Sequence, residues 1–276
     1  MSEANAQQVA YWNEAAGPTW AELQAPLDRQ LSPLGRRAMA ELDLGPGQRV
    51  LDIGCGAGET TLELSATGAE ALGVDISRPL LKIARRRTEG MARVAFLEAD
   101  AQTHPFGAAS FDAVYSRFGV MFFADPAAAF ANLRRALKPG GRLAFVCWRT
   151  ALENPIMSLP MLAALPHVDS PPPPPEPGAP GPFAFADPER VRTILAAGGF
   201  TDVTITPHEE AIGPGDAETT LRLALNVGPL GALLRENPGK RDAVVEAVRA
   251  AIVPHDGPDG VKLGSATWIV TATAPA

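Results

Sequence analysis

The sequence predicts an α/β fold: a Rossmann-like, doubly wound sheet of seven strands, mostly parallel, with the last strand antiparallel. Three observations point there. Short apolar runs alternate with helical patterns through the first two thirds of the chain. A glycine-rich turn, Asp52-Ile53-Gly54-Cys55-Gly56-Ala57-Gly58, follows the first of those runs. Acidic residues close the next two, at Asp75 and Asp100.

The elements follow in order. Residues 1–45 read as a helical cap, with Tyr11, Trp12, Trp20, Leu23, Leu27, Leu31 and Leu34 as apolar anchors, and residues 46–276 as the main domain. The first strand is Arg49–Ile53, and a helix begins near Glu59. The second strand is Ala71–Asp75, after which Ser77 is placed to cap a helix carrying Pro79 in its first turn. Val94–Ala99 and Phe111–Ser116 form strands three and four. Asp125-Pro126 starts a helix as N-cap and first residue, Phe130, Leu133 and Leu137 recur at helical spacing, and Lys138-Pro139-Gly140-Gly141 ends it. Leu143–Trp148 is apolar almost throughout, as a central parallel strand should be.

Beyond it residues 150–186 read as an irregular, proline-rich segment whose run Pro171–Pro175 favours extended polyproline geometry. A helix follows from Asp187-Pro188 to Gly198-Gly199, then strand-like Asp202–Thr206. Residues 208–260 read as a helical insertion, amphipathic through Leu221, Leu225, Leu233, Val244, Val248 and Ile252, before the closing run Thr267–Thr273.

Composition narrows the functional classes. With 276 residues, 46% of them hydrophobic, the chain can bury a full core. Its net charge of −7 lacks the Lys/Arg excess that phosphate-backbone binding draws on, so nucleic acid is not an expected partner. Arg85-Arg86-Arg87 reads as the solvated last turn of a helix. No stretch approaches the ~20 apolar residues of a membrane span, and Met1-Ser2-Glu3-Ala4-Asn5 has no signal-like character, so a cytoplasmic setting is expected. Cys55 and Cys147 fall one strand apart across an intervening strand, ~10 Å, too far for a disulfide. Two cysteines and four scattered histidines show no metal-ligand spacing.

The glycine spacing, Gly54-x-Gly56-x-Gly58, departs from the G-x-G-x-x-G of dinucleotide folds, which argues against an NAD-dependent oxidoreductase. Asp52, two residues earlier, suits a pyrophosphate poorly but suits the ammonium of a methionine moiety, directly or through water. Asp75, ahead of Ile76, is placed to accept from two ribose hydroxyls, and Asp100 from an adenine amine, with Ala101 and Gln102 beside it.

These residues resemble the class I S-adenosylmethionine (SAM)-dependent methyltransferases, particularly the small-molecule branch that includes the ubiquinone and menaquinone biosynthesis enzymes. The resemblance rests on Val50–Gly58, Gly73-Val74-Asp75-Ile76-Ser77, Ala99-Asp100-Ala101-Gln102, Phe111–Ser116 and Leu137–Leu143. It implies SAM as methyl donor, S-adenosylhomocysteine (SAH) as product, and a small organic acceptor. By the same resemblance Ser116 and Trp20 join the cofactor site, and the segment after strand four faces the acceptor. There Arg117, a charge inside an apolar run, must reach solvent, a partner or a ligand, and is the candidate for orienting the acceptor. Phe118, Met121 and Phe122, with Tyr11, Trp12, Trp148, Arg149 and Asn154, are the candidate acceptor pocket. None of His104, His167, His208 and His255 stands out as a base, so proximity and desolvation are the expected mechanism, in a monomer or homodimer. A non-catalytic SAM-binding protein is the alternative.

Overall fold

Apolar residues buried on both faces make the central strands. In the computed structural model, which describes residues 3–169, 176 and 178–275, these are β1 (Arg49–Ile53), β4 (Phe111–Arg117) and β5 (Leu137–Trp148). β2 (Glu70–Asp75) and β3 (Val94–Glu98) extend the sheet on one side. On the other side lie the last strand, Leu263–Thr273, and β6 (Thr201–Ile212) at the edge. The order is β3-β2-β1-β4-β5, last strand, β6; only the last strand is antiparallel to its neighbours. The predicted seven-stranded, doubly wound sheet is thus the observed one. Strand order reverses between β1 and β4, and a crevice opens at the carboxyl ends of strands at such a switch point.

Before β1 come α1 (Glu3–Ala10), a π-helical turn (Tyr11–Ala15), α2 (Gly17–Glu22) and α3 (Gln24–Met39). α2 packs on α5 and α1 reaches Asp100 just past β3, whereas α3 lies on the sheet itself, where Leu34 and Ala38 are fully buried and the helix contacts β4 and β5. Crossovers are made by α4 (Glu59–Ala66), α5 (Arg78–Arg87) and α6 (Pro126–Ala136).

The structure departs from expectation in several places; α6 ends at Ala136, and β5 takes in Lys138-Pro139-Gly140-Gly141, which read as the helix end. Part of the segment expected to be irregular forms α7 (Pro155–Ala164), with Pro155 in its first turn where a missing N–H costs nothing. The proline run Pro171–Pro175 lies outside the described residues. β6 runs on to Ile212, well past Thr206, because as an edge strand it needs no apolar alternation on its open side. After α8 (Pro188–Ala197) and β6, the insertion therefore starts later, with α9 (Ala217–Asn226), α10 (Gly228–Glu236) and α11 (Arg241–Ile252). α7 packs against α10 and α11, with Ile156 and Ala164 buried, so the segment after β5 joins the insertion.

Candidate active site

The loop after β1 turns on three glycines in the left-handed region, with φ of 68° at Gly54, 51° at Gly56 and 83° at Gly58. Gly54 and Cys55 both donate their backbone N–H to the Val74 carbonyl, at 2.8 and 3.2 Å, which ties the turn to β2. Asp52 lies fully buried beneath it. Its Oδ2 accepts hydrogen bonds from the Thr60 and Thr61 hydroxyls, each at 2.6 Å. Its Oδ1 is buried and has no hydrogen-bond partner among the described residues. Burial pushes the Asp52 carboxyl up to about 6, against the pull of the two threonines and of Arg117.

Asp75 closes β2 one strand away. Its Oδ2 accepts from the Gly56 N–H at 2.7 Å and its Oδ1 from the Ser77 N–H at 2.8 Å. Burial raises its pKa, and those backbone donors oppose the rise. Each oxygen keeps a lone pair for a further donor. Ser77 does occupy the N-cap position of α5, but its hydroxyl does not cap the helix; it donates to the Trp12 carbonyl at 2.9 Å. Asn13 donates to the Ile76 carbonyl at 2.9 Å, so the N-terminal segment is sewn over the end of β2.

The third acid, Asp100, accepts on Oδ1 from the Gln102 N–H at 2.9 Å, and on Oδ2 from the Asn5 carboxamide and the Thr103 hydroxyl. α1 therefore contributes an amide nitrogen to the carboxylate expected to receive the adenine amine. Ala101 is buried, with its carbonyl accepting from Asn132 at 2.9 Å, and the Gln102 side chain accepts from the Asp125 N–H at 2.9 Å.

The segment after β4 sits across the switch point. Ser116 braces it, donating to the Ile53 carbonyl at 2.8 Å and accepting from the Gly119 N–H at 3.1 Å. Arg117 finds protein partners: its guanidinium pairs with Glu59 at 2.5 Å and Asp28 at 3.4 Å, where an acceptor-orienting role had been expected. Arg87 pairs with the same Asp28 at 3.0 Å from the exposed last turn of α5, the solvated turn expected of Arg85-Arg86-Arg87.

Phe118 has a φ of 61°, an uncommon conformation for a bulky side chain, and its ring stacks on Trp148 at 4.1 Å with the planes 10° apart. Trp12 meets Tyr11, Trp20 and Phe122 edge to face at 5.4, 5.4 and 5.2 Å. Met121 is buried behind them. Two expected pocket residues are engaged elsewhere. Arg149 pairs with Glu153 and with Glu209 at 2.9 Å, and lies over the Trp268 ring. Asn154 is fully buried and bonds the Thr150 carbonyl at 2.9 Å and the Ala266 N–H at 2.8 Å, fastening the loop after β5 to the last strand.

Thr60, Thr61, Asn5, Asn13, Glu59 and Gly119 were not singled out from sequence. Thr60 and Thr61 had a readable signal: hydroxyls in the first turn after a glycine loop, facing back to an acid at the strand end. Asn5, Asn13 and Glu59 make their site contacts with positions far away in sequence, which leave no local pattern.

The residues present fit a ligand with an ammonium at one end and a nucleoside at the other. The unpartnered Oδ1 of Asp52 is a buried acceptor in need of a donor. A Cβ built on Gly56 meets only Leu80 Cδ1 within 4 Å, at 3.8 Å, so the loop borders open room there. Among the described residues no three His, Cys, Asp or Glu side chains gather as metal ligands do, and no helix is long and apolar enough to cross a membrane.

Comparison with known proteins converges on one family. Residues 51–145 match the methyltransferase domain. The chain is 32% identical over 210 residues to a demethylmenaquinone methyltransferase of Corynebacterium kroppenstedtii, covering 73% of this chain and 89% of that one. It is 42% identical over 97 residues to a demethylmenaquinone methyltransferase of Clavibacter sepedonicus, covering 35% of this chain and 40% of that one. It thus spans less than half the length of some curated relatives it matches. Among solved structures, phosphoethanolamine N-methyltransferase 2 of Haemonchus contortus, in complex with phosphomonomethylethanolamine and SAH, superposes with a TM-score of 0.56 at 20% identity. That superposition covers 88% of this chain and 53% of the other, and supports the fold.

Proposed function

Because the chain belongs to the class I SAM-dependent methyltransferase family, we propose that it transfers a methyl group from SAM to a small organic acceptor. The observation that carries this reading is the buried Asp52 oxygen left without a partner beneath the glycine loop. When bound, SAM supplies an activated methyl group on a sulfonium. The chain's own residues hold and dry the site. Asp52 accepts the ammonium, Asp75 the ribose hydroxyls and Asp100 the adenine amine, with Gly54, Gly56 and Gly58 letting the backbone come close.

Access requires Asn5 to share Asp100 or yield it, so α1 lies on the cofactor's route. Tyr11, Trp12, Trp20 and Phe122, with Phe118 and Trp148, form the apolar wall that receives the acceptor and excludes water. No histidine is placed here as a base, and alignment of acceptor and donor in a dry pocket is the main contribution.

Two measurements test the reading. Incubation with methyl-labelled SAM and a panel of small phenols, quinols, amines and thiols should transfer label to at least one class. Tight SAM binding without transfer to any of them points instead to a non-catalytic SAM-binding protein. The second is the pH dependence of SAH binding. An ammonium ligand needs Asp52 ionised, so below its pKa of about 6 binding must first release a proton. Calorimetry should show affinity rising about tenfold per pH unit below that point and levelling above pH 7. A flat profile from pH 5 to 7 contradicts the assignment.

A further inference from the structure

Arg117 closes β4 with only 12% of its side chain exposed, between carboxylates from two different helices. Glu59, the first residue of α4, lies at 2.5 Å, and Asp28 of α3 at 3.4 Å. Arg87 of α5 holds Asp28 from the other side at 3.0 Å, and Gln24 also donates to Asp28. Ser32 of α3 donates toward Glu59 and Glu63, at 3.3 Å each, and Arg36 takes up Glu63. Arg117, Glu59 and Asp28 thus sit together largely out of water, with Arg87 joining them from the exposed rim. Such a buried group seldom stabilises a fold more than well-packed apolar residues would, which suggests another use for it.

The use lies in the next two residues of α4. Thr60 and Thr61 follow Glu59 directly, and their hydroxyls occupy Oδ2 of Asp52. We propose that Arg117 is a positioning residue of the cofactor site. By fixing Glu59, it sets the first turn of α4 so that Thr60 and Thr61 take one oxygen of Asp52 and leave the other for the ligand's ammonium.

The placement has an electrostatic side. Burial raises the Asp52 pKa, the Arg117 cation pulls it down, and Asp75 works in the opposite direction. The neighbouring Tyr115 hydroxyl donates to the Gly35 carbonyl and is held neutral, its pKa pushed up by burial. If the Arg117 cation is removed, Glu59 loses its ion pair, Asp28 keeps only Arg87, and Asp52 loses the cation that pulls its pKa down.

This inference rests on the assignment of Asp52 to the ammonium, and the test separates the two. SAH is titrated into the whole 276-residue chain by calorimetry from pH 5 to 8, for the wild type, Arg117→Met, Arg117→Lys and Glu59→Gln. Arg117→Met should move the midpoint of pH-dependent binding upward by about one unit and weaken binding at pH 7.5 about tenfold. Arg117→Lys keeps the cation without the forked geometry, and should retain the midpoint with partial loss of affinity. Glu59→Gln should weaken binding without an upward shift.

A midpoint unmoved in Arg117→Met, with affinity lost equally at every pH, marks a merely structural charge and overturns the proposal. If Arg117→Met does not fold, wild-type affinity in both Arg117→Lys and Glu59→Gln overturns it as well. A wild type with no pH midpoint overturns the Asp52 assignment itself, and this proposal with it.

Discussion

Asp52→Asn is expected to abolish measurable SAH binding while raising the melting temperature of the ligand-free protein. The carboxylate is fully buried, and its pKa stands at about 6 against an ordinary 3.8. A folded-state pKa raised in this way means that the native protein holds the proton more tightly than the unfolded chain does. The stability contributed by that proton is complete below pH 3.8 and is lost as pH rises through about 6. At neutral pH the ionised group therefore costs about 3 kcal/mol.

Asparagine carries no charge and still offers one oxygen to Thr60 and Thr61, but places an amide where the unpartnered oxygen was. The net gain should be about 1–2 kcal/mol, or about 2–6 °C, read by thermal unfolding at pH 7.5. Between pH 4 and 6 the stability difference between wild type and variant should close, which isolates Asp52 from the other titrating carboxylates. A variant that melts lower and still binds SAH defeats the assignment.

Gly119→Ala is expected to weaken both the fold and the site although the backbone there is unstrained. Gly119 has an ordinary helical φ of −79°, so no backbone strain explains a glycine there. Proximity does. A Cβ at this position would lie 2.7 Å from the Ile53 carbonyl oxygen, 2.9 Å from Gly54 Cα and 3.0 Å from the Ser116 hydroxyl. The reciprocal Cβ on Gly54 would lie 2.8 Å from Gly119 Cα. The loops after β1 and β4 touch backbone to backbone, and backbone cannot rotate out of the way.

The methyl group must push the glycine loop off its seat, at a cost of about 2–3 kcal/mol in stability, and SAH affinity should fall by about a hundredfold. Denaturant unfolding and calorimetry measure the two. Gly140→Ala is the control, since nothing lies within 4 Å of its Cβ, but its φ of 73° costs stability without touching the site. Wild-type SAH affinity in Gly119→Ala would falsify the contact's role.

Much of this site was legible because local turn chemistry writes it into the chain. A strand end, three glycines and an acid two residues ahead specify the loop after β1, and Asp75 and Asp100 close their strands in the same way. What could not be read depends on partners brought together by the sheet. Asn5 reaches Asp100 across 95 positions, and Arg117 reaches Glu59 across 58. Arg117 was rightly marked as a charge needing a partner, but nothing nearby in sequence names Glu59. Arg149 and Asn154 were placed by their position after β5, and both turn instead to protein partners there.

The same limit explains the elements misjudged. α7 carries Pro155 and Pro160 inside a stretch that reads as irregular, yet the first lies where helices tolerate it and the second is buried within the helix. The far half of β6, Pro207-His208-Glu209-Glu210, has no apolar rhythm, because an edge strand pairs on one side only.

The two thiols give the chain a pair of built-in clocks. Cys55 is buried in the glycine loop and Cys147 in β5, and burial raises both pKa values, so neither is a ready nucleophile in the folded state. Alkylation at either position must wait for the backbone around it to open. Cys147, in a central strand, is expected to react on unfolding of the sheet, and Cys55 on opening of the loop alone. Where opening is fast against alkylation, the ratio of the two rates measures how much more readily the cofactor's seat opens than the sheet beneath it.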